Sequence, residues 1–133
     1  MALLLLITED DAFAAAAAAL SDAELTVMRA DVEEAAAVAR RDRPDILAVD
    51  TDSIREAGPL IGALSLVTAS PTVAVSHQAW PGSGQAAAWR AAGAAAVLPK
   101  PSGSAAPTLA GADRDAYVQW LSDLVRARQE TQA

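Results

Sequence analysis

The chain has 133 residues, of which 53% are hydrophobic, and a formal net charge of −7. That length suits one three-layer domain, and the negative charge argues against direct binding of nucleic acid or an anionic membrane, which need clustered Lys and Arg. The absence of cysteine excludes disulfides, thiol catalysis and zinc–thiolate sites. The apolar residues 3–7 are too few to span a bilayer and follow no basic leader, so we expect a cytoplasmic protein.

Short apolar runs and alanine-rich segments alternate along the chain. The apolar runs predict strands at residues 3–7, 25–28, 46–50, 72–75 and 95–98. The segments between and after them predict helices at residues 12–20, 35–41, 60–67, 85–92 and about 113–129. Asp10 or Asp11 is expected to cap the first helix, and Asp31 with Glu34 has the spacing of a capping box before the second. Gly93 is expected to end the fourth.

This alternation predicts the fold class. Strands that alternate with helices form a parallel sheet covered by helices on both faces, through right-handed crossovers. We therefore expect a three-layer α/β/α arrangement with a five-stranded parallel sheet. The small residues of 102–111 predict a segment without regular structure before the last helix. The whole of 1–133 is expected to form a single domain.

Polar side chains follow four of the five predicted strands. Glu9 and Asp10 follow the first, Asp50 ends the third, Ser76 follows the fourth and Lys100 follows the fifth. Because the carboxyl ends of parallel strands meet at one edge of the sheet, we expect these side chains to lie in the crevice where open α/β sheets bind ligands.

These residue types suit phosphoryl transfer. Facing carboxylates repel one another unless a cation joins them, and Mg²⁺ is the simplest such cation because it prefers oxygen ligands. A hydroxyl and an ammonium group opposite would contact phosphoryl oxygens, with Asp50 as the nucleophile that forms an aspartyl phosphate. Each residue taken singly also has a structural explanation: a helix cap for Asp10, a turn for Ser76, and a solvated surface position for Lys100.

Four segments resemble the response-regulator receiver family, namely residues 5–11, 44–50, 71–76 and 91–101. The resemblance implies the flavodoxin-like strand order 2-1-3-4-5, for which a receiver is a known example. It also implies that Asp50 accepts a phosphoryl group from a sensor histidine kinase or phosphotransfer protein. Glu9, Asp10 and Asp50 would then hold Mg²⁺, together with the backbone carbonyl of Asp52.

The resemblance further assigns Ser76 and Lys100 to the phosphoryl oxygens and implies a cis Lys100–Pro101 bond. The output would pass to an effector domain or a homodimer partner. Such a protein is not an enzyme in the usual sense, and its chemistry is at most Mg²⁺-dependent self-phosphorylation and self-dephosphorylation.

Three departures from the family pattern leave an alternative open. Residues 53–54 replace the usual Met-Pro pair, His77 follows Ser76 where a small residue is usual, and Val97 replaces the aromatic switch residue. The alternative is a receiver-like module that acts through protein–protein interaction without phosphorylation.

Two enzyme or cofactor classes fit less well. The Asp-x-Asp at residues 50–52 resembles that of haloacid-dehalogenase-like phosphatases, but that family places this motif on its first strand. No Ser/Thr-Gly-rich phosphate loop follows the first predicted strand, which argues against flavin binding.

Overall fold

The computed structural model describes residues 2–21, 24–77, 83–101, 115 and 118–126. The strands are β1 Ala2–Ile7, β2 Leu25–Ala30, β3 Ile46–Asp50, β4 Thr72–Ser76 and β5 Ala96–Pro99. The helices are α1 Asp11–Ala18, α2 Ala35–Asp42, α3 Ala57–Val67 and α4 Gly84–Ala92, followed by helical residues 118–126, here called α5. Within these ranges, each helix is too short or too polar to cross a membrane.

All the strands belong to one parallel sheet with the order β2-β1-β3-β4-β5. Leu5 lies opposite Leu47, and Leu47 lies opposite Thr72, so β3 pairs on both sides at the centre of the sheet. Every residue of β3 and β4 is buried, as expected for parallel strands covered on both faces. The predicted fold class and strand order are confirmed.

Alternation of side chains along the strands divides the core into two layers. Leu4 and Leu6 of β1 belong to a cluster with Phe13 of α1 and Trp120 of α5, and the centroids of these two rings lie 5.1 Å apart. Leu5 and Ile7 of β1 belong to the opposite cluster, which is completed by residues of α2 and α3 and by Ala94, between α4 and β5. Period-two alternation therefore decides which layer each strand residue joins.

The helix starts follow the capping residues of the sequence. The Asp10 side chain accepts a hydrogen bond from the Phe13 amide at 3.1 Å, which makes Asp10 the N-cap of α1. Asp31 and Glu34 make the reciprocal bonds of a capping box in the turn that leads into α2, because each backbone N–H donates to the other's carboxylate, at 3.1 and 2.9 Å. Glu34 is itself the N-cap residue of α2, and its side chain makes no capping bond to that helix.

Some boundaries differ from the predictions. Helix α3 begins at Ala57 instead of residue 60, because Pro59 falls in the first turn, where its missing N–H has no intrahelical partner to lose. Strand β2 continues to Ala30 because its pairing with β1 continues to Ile7. The expectation of a cis Lys100–Pro101 bond is wrong, since this bond is trans. The segment 102–111 and the two ends predicted for the last helix lie outside the described residues.

Gly93 lies in the turn between α4 and β5, and its replacement tests the backbone strain of that turn. Its φ of +124° is one that L-residues rarely adopt, and an added Cβ would lie 3.4 Å from Ser65 Oγ. We expect Gly93→Ala to lower the free energy of unfolding by about 1–3 kcal/mol because of backbone strain. Urea-induced unfolding measures this loss.

The matched control is Gly84→Ala, at the first residue of α4, where an added Cβ meets open space. This variant should be neutral or stabilised by up to about 1 kcal/mol, because alanine is the better helix former. Equal losses at the two glycines would contradict the strain argument.

Candidate functional site

Asp50 is the centre of the site at the carboxyl edge of the sheet. It ends β3 and has no exposed surface, at 0% relative exposure. Its Oδ2 accepts hydrogen bonds from Lys100 Nζ at 2.9 Å and from Thr8 Oγ1 at 2.8 Å, and its Oδ1 accepts one from the Asp52 amide at 3.2 Å. A buried carboxylate is stable only when it is paired and hydrogen-bonded, and these donors meet both requirements.

Strand alternation explains why these side chains meet. Leu6, Ala48 and Leu98 all contribute to the core layer beneath α1 and α5. Side chains two residues further along a strand point to the same face. The residues at those positions are Thr8, Asp50 and Lys100.

Lys100 joins two carboxylates that come from different parts of the chain. Its Nζ lies 2.9 Å from Asp50 Oδ2 and 3.0 Å from Asp10 Oδ2, and its side chain is only 6% exposed. The ammonium also lies 4.8 Å from the centroid of the Phe13 ring, within cation–π range. One cation thus neutralises part of the charge of two acids at the edge of the sheet.

The pKa values of Lys100 and Asp10 reflect this contact. Burial alone lowers the pKa of Lys100, but the hydrogen bonds to Asp50 and then Asp10 outweigh it, so the pKa is raised above its usual value. The pKa of Asp10 is lowered, first by the hydrogen bond from Lys100 and second by that from the Phe13 amide. Both groups are therefore charged at neutral pH.

Ser76 reaches the site through Asp52. Its position in β4 has the same parity as Ala74, which belongs to the opposite core layer. Ser76 Oγ donates to Asp52 Oδ1 at 2.7 Å, and the His77 amide donates to Asp52 Oδ2 at 2.7 Å. Asp52 in turn contacts Asp50 through its own amide, so Ser76 and Asp50 are linked by the residue between them. His77 is exposed.

Thr8 and Arg29 are site residues that the sequence reasoning missed. Besides its bond to Asp50, Thr8 Oγ1 lies 3.1 Å from Ser53 Oγ. The carbonyl of Thr8 accepts two bonds from the Arg29 guanidinium, at 3.2 and 3.3 Å, and Arg29 also pairs with Asp11 at 2.7 Å. Thr8 could have been found from its position two residues after Leu6, which places both side chains on the same face of the strand. The sequence reasoning considered only the acidic residues that follow Thr8.

Of the predicted magnesium ligands, Asp10 and Asp50 converge on the Lys100 ammonium, whereas Glu9 bonds elsewhere. Glu9 Oε1 accepts a bond from the Val32 amide at 3.5 Å, and Asp10 is shared between the α1 cap and Lys100. In the described part of the chain, no three His, Cys, Asp or Glu residues form a group that could hold a metal. The arrangement therefore does not fit Mg²⁺ without movement of side chains. The assignment of Glu9, Asp10, Asp50 and the Asp52 carbonyl as Mg²⁺ ligands stays a prediction.

Comparison with solved structures identifies the fold. The response regulator domain of Thermotoga maritima CheB superposes with a TM-score of 0.77 at 13% identity, covering 97% of each chain. The chain has the receiver fold. The receiver domain of the Francisella response regulator 1452 gives a TM-score of 0.73 at 13% identity, covering 98% of this chain and 99% of that one. A response regulator from Desulfuromonas acetoxidans superposes with a TM-score of 0.64 at 19% identity, covering 93% of this chain and 95% of that one.

No protein-family model matches the chain, and no curated protein matches its sequence. The likeness to receivers thus lies in the arrangement of strands and helices.

The Lys100–Asp50 pair can be tested by unfolding. Lys100→Met leaves the Asp50 carboxylate buried without its cation, which should lower the free energy of unfolding by about 3–5 kcal/mol. The double variant Asp50→Asn/Lys100→Met removes both charges and should be more stable than Lys100→Met alone. Urea-induced unfolding of the single and double variants measures the coupling.

Arg41→Met is the matched control, because Arg41 is 71% exposed and pairs with Asp42 at 2.9 Å. Loss of this exposed, solvent-screened pair should cost much less than loss of the buried one. If Lys100→Met costs no more than Arg41→Met, the buried pair does not stabilise the site.

The lowered pKa of Asp10 predicts a pH dependence of stability. A depressed pKa contributes stability above the usual value of 3.8, and that contribution is lost as the pH falls through the folded-state pKa. Asn also serves as an N-cap, so Asp10→Asn keeps the cap but loses the charge. We expect the stability difference between wild type and Asp10→Asn to be constant from about pH 5 to 7, to begin to fall below about pH 4, and to vanish only below the lowered folded-state pKa.

Denaturant unfolding at several pH values measures this difference. In a Lys100→Met background the same difference should be smaller, because the hydrogen bond that mainly lowers the pKa of Asp10 is gone. A difference that grows on acidification would contradict the assignment.

Proposed function

We propose that this chain is a receiver module of two-component signalling and that Asp50 accepts a phosphoryl group from a sensor histidine kinase or phosphotransfer protein. The observation that carries the proposal is the Lys100 ammonium, which contacts Asp50 and Asp10 across 50 and 90 residues of chain. A strand-end carboxylate in contact with a buried cation, next to a hydroxyl-bearing strand end, is the set of groups that phosphoryl transfer to an acid requires.

The chemistry assigned to these residues is a single displacement. A carboxylate oxygen of Asp50 forms a bond to phosphorus while the bond from phosphorus to the donor breaks, and the donor leaves with the electron pair. Lys100 neutralises charge on the transferred group, and the Ser76 hydroxyl donates a hydrogen bond to one of its oxygens. The protein contributes mainly position and charge.

Mg²⁺ is the proposed cofactor on the grounds of the facing carboxylates in the sequence and of the family resemblance. Because Lys100 lies where Asp10 and Asp50 converge and Glu9 bonds elsewhere, no step above depends on Mg²⁺. Glu9 would need to turn from the Val32 amide to contribute an oxygen.

The wider context follows from the same proposal. The protein would act in the cytoplasm, without turnover of a separate substrate, and would pass its signal to an effector domain or a second copy of itself. The charge of −7 supports an output through protein partners instead of direct contact with nucleic acid.

A second candidate is an interaction module with the receiver fold that is not phosphorylated. It is favoured by the complete burial of Asp50, whose two oxygens already accept bonds from Lys100, Thr8 and Asp52. In this candidate the ion pair only stabilises the sheet edge, and binding of a partner does not depend on a phosphodonor.

Incubation with acetyl phosphate and Mg²⁺, followed by intact-protein mass spectrometry, separates the two candidates. We expect wild type to gain the mass of one phosphoryl group and Asp50→Asn to gain none. Lys100→Met should lose most of the labelling, because the charge of the incoming group is no longer neutralised. A parallel incubation with EDTA tests whether a divalent metal is needed.

Asp42→Asn serves as the control, since it removes an equal charge from the end of α2, away from the site. It should be labelled as wild type is. Failure of folded wild type to gain mass under these conditions would support the second candidate. Labelling that persists in Asp50→Asn would show that another residue accepts the phosphoryl group.

A further inference from the structure

The exposed mouth of the site holds a carboxylate docked on two hydrogen-bond donors. Ser76 Oγ and the His77 amide each lie 2.7 Å from a different oxygen of Asp52. Bonds of this length with an ionised acceptor are charge-assisted, and two at once fix the carboxylate in one orientation. Together the hydroxyl and the amide form a cradle for an anion at the end of β4, here called the Ser76–His77 cradle.

The cradle lies beside Asp50, on the side open to solvent. Asp52 is exposed, whereas Asp50 and Ser76 are 0% and 1% exposed. The amide of Asp52 donates to Asp50 Oδ1, so the two residues are in direct contact. The Ser76–His77 cradle, which holds the Asp52 carboxylate, therefore lies next to Asp50. A phosphoryl group on Asp50 that engages the Ser76 hydroxyl would need the position that the Asp52 carboxylate occupies.

Charge reinforces this competition. Asp10, Asp50 and Asp52 bring three carboxylates to the site, and among the described residues Lys100 is the cation that pairs with the first two. The Asp52 carboxylate therefore repels an incoming phosphoryl dianion in addition to blocking its donors.

We propose that Asp52 is an internal competitor for the phosphoryl group: its carboxylate fills the Ser76–His77 cradle and must leave before an anion can bind there. The inference rests on the proposed function in taking the phosphoryl group as the anion concerned. Release of Asp52 then limits the rate at which Asp50 is phosphorylated, and a partner or donor protein that draws Asp52 out of the cradle would accelerate transfer.

A merely structural role makes different predictions. If Asp52 only caps the turn after β4, its replacement lowers stability and leaves anion affinity unchanged. If it competes for the cradle, its replacement strengthens anion binding even when stability falls.

Inorganic phosphate is the probe for the first experiment, with the full chain and without Mg²⁺. The backbone amide of His77 is followed by ¹H–¹⁵N NMR during titration of wild type, Asp52→Asn and Asp52→Ser. We expect the His77 resonance to shift on substitution and phosphate to bind the variants about tenfold or more tightly than wild type, because charge-assisted bonds to the donors are released. Asp52→Ser removes the carboxylate without adding an amide that could refill the cradle.

Asp42→Asn is again the charge-matched control and should leave phosphate affinity unchanged. Equal phosphate affinity in wild type and both Asp52 variants overturns the proposal, as does a tighter affinity in Asp42→Asn of the same size. Either result would show that the cradle is not released or that net charge alone sets the affinity.

A second experiment compares the initial rates of labelling by acetyl phosphate and Mg²⁺ in wild type and Asp52→Asn. Faster labelling of the variant supports both proposals, Asp52 as the competitor for the cradle and Asp50 as the phosphoacceptor. No labelling of either protein, together with tighter phosphate binding by the variant, contradicts the phosphoacceptor and leaves the competitor standing. Equal labelling rates with equal phosphate affinity contradict the competitor while the phosphoacceptor stands.

Discussion

The contact of one buried ammonium with two carboxylates is the interaction on which this edge of the sheet depends. Lys100 follows β5, Asp50 ends β3 and Asp10 caps α1, so the contact joins three parts of the chain. Asp50 is completely buried, and an ionised carboxylate in that position is tolerated only with a cation and further donors. The loops after β1 and β5 must therefore hold Thr8 and Lys100 against Asp50, whatever else the site does.

That constraint is compatible with two kinds of protein. In a phosphoacceptor the cation is ready to neutralise a transferred group, and in a static interaction module the same pair only stabilises the fold. Access distinguishes them, because Asp50 is completely buried while Asp52, two residues further along the chain, is exposed. The Asp52 carboxylate is docked on Ser76 and His77, and under the competitor proposal it is the group that must move before a phosphoryl group engages those donors.

Much of the fold could be predicted because the relevant signals are local. Apolar runs of strand length between alanine-rich segments predicted the parallel sheet, and Asp10, Asp31 and Glu34 marked helix starts through bonds to neighbouring amides. The errors arose where local signals conflict. Pro59 and its glycine neighbour suggested a late start for α3, although a proline in a first turn costs no hydrogen bond.

The sequence by itself determined the parallel α/β architecture and which polar residues stand at the carboxyl edge, since both follow from residue periodicity and the positions of strand ends. Only the tertiary structure decided how those residues pair. It placed Lys100 between Asp50 and Asp10, assigned Thr8 to the buried carboxylate, and docked Asp52 on Ser76. These pairings depend on the paths of loops that leave different strands, and hydrogen bonds formed between segments tens of residues apart have no local signature in the chain.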